Sequence, residues 1–125
     1  MSSDLTLLVV TSLTRERGVA HTLLPLVRRR ELWDVVLDIV KEHGQPIPAD
    51  FSTHFARIPD GSMKDECCYG RVSKDCYDTL LRTVEVRYLV GLREHEGVTD
   101  NTTNRATWAY LAALPGETMI ALWWH

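Results

Sequence analysis

The chain predicts an α+β fold, and three stretches carry that expectation. Residues 5–10, Leu-Thr-Leu-Leu-Val-Val, form a short apolar run closed by Thr11 and Ser12, the form of a buried strand. Residues 31–43 place Leu32, Val36, Ile39 and Val40 on one helical arc. Glu31, Asp34, Asp38 and Glu42 fall on the opposite arc. Residues 118–124 end in adjacent tryptophans, Trp123 and Trp124, which a strand points to opposite faces.

The elements follow in the order β-α-α-loop-α-β-α-β, within one domain over residues 1–125. After the first strand, Thr14 is positioned to cap a helix from Arg15, with Val19, Ala20, Leu23, Leu24 and Val27 on a shared arc. Gly18 weakens that helix and Pro25 interrupts it. Arg28, Arg29 and Arg30 would fall partly on the apolar side of the next helix, so they mark a break before it. That second helix, over 31–43, is stopped by Gly44, with Pro46 and Pro48 beyond.

Residues 45–62 contain three prolines and the turn Pro59-Asp60-Gly61, which predicts a long irregular loop. Ser73 reads as the cap of a helix over 74–81, which gathers Tyr77, Leu80 and Leu81. Val84, Val86, Tyr88, Val90 and Leu92 then alternate with period two in strand-favouring residues, so 84–93 reads as a strand. The capping types from Asp100 to Thr103 open a helix over 104–114, ended by Pro115 and Gly116. The last strand follows it. The last three elements fit either a right-handed parallel βαβ unit or an antiparallel arrangement.

Apolar residues make up 45% of the chain and charged residues 25%, an ordinary globular balance that argues against disorder. Acidic residues number 17 against 14 basic, a formal charge of −3, too small to imply a polyanion or polycation partner by field alone. No apolar run approaches the roughly 20 residues of a membrane span. The run at 5–10 is too short for a signal-peptide core, and no basic segment precedes it. A cytoplasmic protein that does not enter the membrane is the expectation.

Three cysteines, two of them adjacent at Cys67 and Cys68, do not suit a disulfide framework. With Cys76 and His54 they also lack the paired spacing of a structural zinc site. No metal and no cofactor are expected. The arginines at 28–30 lack the interleaved aromatic residues of a nucleic-acid surface and run directly into Glu31, which argues against that class of partner.

Two function classes remain. The first is a small non-enzymatic protein-binding module that acts by occupying a partner's surface, as small inhibitors, immunity proteins and phage accessory factors do. The helix over 104–114 is apolar on two sides, with Trp108 on the side away from Tyr110 and Leu114. Fully burying one indole removes roughly 150–250 Å² from water, at most on the order of 4–6 kcal/mol. Trp108, Trp123 and Trp124 therefore ask for more cover than a short chain easily supplies. They are assigned to a hydrophobic contact with a protein partner or a second copy. Glu31, Asp34 and Asp38 would steer a basic partner. The last strand is expected to be an inner strand, or an edge that a partner covers.

The second class is a small hydrolase or nuclease. His54, Arg57 and Asp60 lie close together in the long loop, and Glu94, His95 and Glu96 follow the strand over 84–93. The first set offers a histidine, an arginine and one acid, and the second a histidine between two carboxylates, either of which could serve acid–base work. Neither is accompanied by a nucleophile elbow, a phosphate-binding glycine loop or a paired-histidine signature. The balance leans away from an enzyme.

Overall fold

A computed structural model describes residues 4–14, 17–47, 50–53 and 80–125. Strand β1 spans Leu5–Thr14 and β2 spans Arg17–Leu24, followed by helix α1, Arg30–His43. Two short strands come next, β3 at Gln45–Pro46 and β4 at Asp50–Thr53. Strand β5, Arg82–Glu85, leads directly into helix α2, Val86–Val90, and a 3-10 turn, Gly91–Glu94. Helices α3, Glu96–Thr99, and α4, Thr102–Ala112, precede strand β6, Met119–Trp124. The α+β class is as expected.

The strands form one sheet of six in the order β3-β5-β6-β1-β2-β4. Its neighbours are antiparallel except β2 and β4, which run parallel. Strand β6 is an inner strand between β5 and β1. Its register sets Leu5 opposite Trp124, Leu7 opposite Leu122 and Val9 opposite Ile120. The antiparallel alternative for the C-terminal elements holds, because β5 and β6 pair antiparallel, with Val84 opposite Ile120.

Alternation along β6 divides the core in two. Ile120 and Leu122 join Leu5, Leu7, Leu24 and Val84 on the face that carries the helices. Leu32, Trp33, Val36 and Val40 of α1 meet them there, with Trp108 and Leu111 of α4. The intervening residues Ala121 and Trp123 lie on the other face with Leu8, Val10 and Leu81, and that face is buried as well. Trp124 is half-buried and meets Trp33 edge to face, with ring centroids 6.0 Å apart and planes at 78°. That is a favourable aromatic geometry. Each tryptophan of the terminal pair thus finds a separate cluster within the fold. His125 and Asp4 exchange backbone N–H···O bonds of 2.9 Å, carrying the β1–β6 pairing one step further.

Helix α1 matches the expected helix within one residue. Its stop has a different cause from the usual glycine cap. Gly44 has φ −67° and ψ 142°, an extended conformation open to any residue. What requires glycine is proximity, because a Cβ there would sit 2.3 Å from the Val40 carbonyl oxygen.

Two of the expected elements change type. The helix expected from Arg15 is strand β2, in which Leu24 pairs with Leu7 and Leu23 with Leu8. A helical arc would put both leucines on one side, whereas the sheet buries Leu24 in one cluster and sets Leu23 against the other. The strand expected over 84–93 lasts only to Glu85. From Val86 the chain turns helical, with the Val86 N–H bonded to the Thr118 carbonyl at 2.8 Å and the Arg87 N–H to that of Gly116 at 3.2 Å. Val84 is buried by strand alternation, while Val86 and Leu89 are buried at helical spacing. A period-two pattern with every valine inward was satisfied by two successive elements, so tertiary packing overrode β propensity. The helix expected over 74–81 falls outside the described residues except at its end, where Leu81 is not helical. Of the loop expected over 45–62, the described parts include β3 and β4.

Candidate protein-binding surface

Helix α4 is the element on which the sequence asks for cover on two sides, and the structure settles which side faces inward. Asn104, Thr107, Trp108 and Leu111 are buried. The polar atoms of this inner face are all used. The Asn104 side chain accepts from the Val27 N–H at 2.7 Å and donates to the Val27 carbonyl at 2.9 Å and the Gly97 carbonyl at 2.8 Å. Thr107 Oγ1 donates to the Pro25 carbonyl at 2.7 Å, and Trp108 Nε1 donates to the Leu89 carbonyl at 2.8 Å. The helix starts at Asn101, whose side chain accepts from the Asn104 N–H at 3.0 Å, a conventional N-cap.

The outer face of α4 carries Arg105, Ala106, Ala109, Tyr110, Ala112 and Ala113, all exposed. Arg105 is the one charge among those six. An exposed helix face ordinarily carries several. Tyr110 is 42% exposed, one of few large apolar side chains so open among the described residues. Beside this face a groove of about 460 Å³ runs between α4, α3 and the turn at 91–94. Val98, Trp108, Ala109 and Ala112 form its apolar lining, and Arg93, Glu94 and Arg105 are its charged residues.

The sequence assigns Trp108, Trp123 and Trp124 to a partner. The structure places Trp108 at 2% exposure and Trp123 at 4%, both inside the fold, with Trp124 half-buried on Trp33. Their need for cover is met by the chain itself. The residue left open is Tyr110, which the sequence marked only as lying opposite Trp108. Helical spacing shows that α4 has two apolar sides, and only the three-dimensional bonds of Asn104 and Thr107 decide which one turns inward.

Glu31, Asp34 and Asp38 are exposed along α1, as the amphipathic pattern requires, and Leu37 lies among them at 39% exposure. His95 is the N-cap of α3, where its Nδ1 accepts from the Gly97 N–H at 2.9 Å. It shares a hollow of about 230 Å³ with Arg29, Glu31, Glu96, Gly97 and Asp100, whereas Glu94 lines the groove on α4 instead. His54, Arg57 and Asp60 lie outside the described residues, as do Cys67, Cys68 and Cys76. No protein-family model matches the chain, and no curated protein or solved structure matches it.

Among the described residues no group of three or more His, Cys, Asp or Glu side chains could hold a metal ion. No helix among them is long and apolar enough to cross a membrane. Surface cations differ in how they are engaged. Arg87 donates to the Glu85 carboxylate and lies over the Tyr88 ring, 5.3 Å from its centroid, and Tyr88 in turn stacks on His43 at 3.8 Å. The hydrogen bond and charge of Glu85 hold the Arg87 guanidinium above its ordinary pKa. Arg93 and Arg105, in contrast, form no ion pair among the described residues, and Arg105 reaches only the Thr102 hydroxyl at 3.2 Å.

Proposed function

We propose that this chain is a non-enzymatic, cytoplasmic protein-binding module that acts by occupying a partner's surface, in the manner of small inhibitors or immunity proteins. The observation that carries the reading is the outer face of α4. It is exposed, almost uncharged and topped by Tyr110, and it lies beside a groove lined by both apolar and charged residues. Aromatic residues on an uncharged patch are the compositional mark of interface centres. Trp108 supports this face from beneath, whereas Trp123 and Trp124 pack into the two clusters on either side of β6. Glu31, Asp34 and Asp38 form a separate acidic surface around Leu37, suited to steering a partner's basic region during encounter.

Affinity purification from the native cell, with native mass measured alongside, tests the reading. A protein partner, or a second copy, should be recovered with the wild-type chain. It should be lost when Tyr110→Asp is introduced at unchanged melting temperature. Recovery of the chain's own monomer alone overturns the reading.

One observation favours a hydrolase or nuclease as the second reading: the hollow that sets His95 with Glu31 and Glu96. Capping occupies Nδ1, so Nε2 is the nitrogen left for chemistry. His95→Asn keeps a capping acceptor and removes the imidazole. A hydrolytic activity of the wild type that disappears in this variant supports the enzyme, and one that survives excludes His95 as its catalyst.

A further inference from the structure

We infer that the groove beside α4 receives an acidic peptide segment of the partner, a carboxylate next to an apolar side chain. This rests on the binding-module reading and adds the chemistry of what is bound. The groove's volume of about 460 Å³ falls within the range of side-chain and ligand pockets. Its floor is apolar, with Ala109 and Ala112 leaving room above Trp108 and Val98. Two guanidinium groups border it, those of Arg93 and Arg105, against one carboxylate, that of Glu94.

The excess of positive charge is local, since the whole chain carries −3. Both arginines are exposed and neither is spoken for by an acidic neighbour among the described residues. Guanidinium groups bind carboxylates in paired hydrogen bonds, so an acidic side chain entering here gains two candidate partners. A nucleic acid would call for a longer run of cations than two arginines beside a glutamate. The apolar floor fits the side chain next to the carboxylate in a peptide.

The test is selection of a displayed random-peptide library on the wild-type protein, followed by binding of the enriched peptides to two variants. Ala109→Trp fills the groove without changing its charge, and R93E/R105E reverses the charge without filling it. The expected result is peptides with Asp or Glu beside Leu, Ile, Val or Phe. They should bind R93E/R105E roughly tenfold more weakly, lose binding to Ala109→Trp, and weaken as salt is raised. Peptides lost on Ala109→Trp but indifferent to R93E/R105E overturn the acidic preference and leave the binding-module reading standing. Peptides indifferent to both, or none enriched, overturn the groove as a site, while partner recovery from the cell remains the separate test of the module. If R93E/R105E melts below the wild type, R93Q/R105Q replaces it, and unchanged affinity in that variant together with no salt dependence overturns the proposal.

Discussion

Asn104 and Val27 exchange two hydrogen bonds across the fold, the Val27 N–H donating to Oδ1 at 2.7 Å and Nδ2 donating to the Val27 carbonyl at 2.9 Å. The same Nδ2 donates to the Gly97 carbonyl at 2.8 Å. One fully buried amide thereby ties α4 to the segment before α1 and to α3, and it fixes which side of α4 is left open. Asn104→Ala would leave the backbone groups of Val27 and Gly97 without their partner. The expected cost is about 3 kcal/mol, since the Gly97 carbonyl is buried, the Val27 groups are only partly so, and a buried group left unpaired costs on the order of 1–3 kcal/mol. Asn104→Asp keeps the acceptor but loses both donated bonds and buries a carboxylate, so it should be no milder. Denaturant unfolding checks both, and a loss under 1 kcal/mol for alanine would show that water replaces the side chain.

Helix α3 approaches α1 at Gly97, where a Cβ would sit 2.8 Å from the Leu32 Cβ and 3.2 Å from the Arg29 Cβ. Neither neighbour is the flexible end of a side chain. Gly97→Ala should therefore destabilise by about 1–3 kcal/mol, as overpacking does. Gly91 provides the contrast. Its backbone is right-handed helical, φ −59° and ψ −20°, and a Cβ there meets nothing within 4 Å. Gly91→Ala should stabilise by about 0.4–1 kcal/mol through the unfolded chain. Melting temperatures of the two alanine variants should shift in opposite directions.

The terminal tryptophans separate by the same kind of measurement. Trp123 is 4% exposed in the second cluster, so Trp123→Ala should cost about 3–5 kcal/mol. Trp124 is half-buried and edge-on to Trp33, so Trp124→Ala should cost less, about 1–3 kcal/mol. Equal losses in urea unfolding would mean that Trp124 contributes as fully to its cluster as Trp123 does to the other.

These residues also show how far the sequence could be read. The alternation of β6 and the acidic arc of α1 are local patterns, one spanning a single strand and the other a single helix, so both were legible. Strand β2 was not, because Leu23 and Leu24 choose opposite faces only once β1 lies beside them. The turn from strand to helix at Val86 was hidden because a single helix through the stretch would leave Val86 and Val90 outside, and only a change of element at Val86 keeps Val84 and Val86 both inward. The outer face of α4 was half-legible. Its two apolar sides were visible, but the choice between them depends on Asn104 and Val27, which lie 77 residues apart. Tyr110 came forward only when Trp108 turned in.

Trp108 tests whether that inward choice is held by shape or by its hydrogen bond. Its indole N–H donates to the Leu89 carbonyl at 2.8 Å, the last residue but one of α2, and its ring underlies the groove. Trp108→Phe keeps an aromatic ring and removes the donor, leaving the Leu89 carbonyl with the Gly91 N–H as its partner. It should cost about 1–3 kcal/mol, against about 3–5 kcal/mol for Trp108→Ala, which also opens a cavity. Tyr110→Ala, on the exposed side of the same helix, should stay within about 0.5 kcal/mol of the wild type. Urea unfolding of the three variants decides the matter. A Tyr110→Ala loss as large as that of Trp108→Phe would mean that the outer face of α4 is part of the core, and that no surface is left there for a partner.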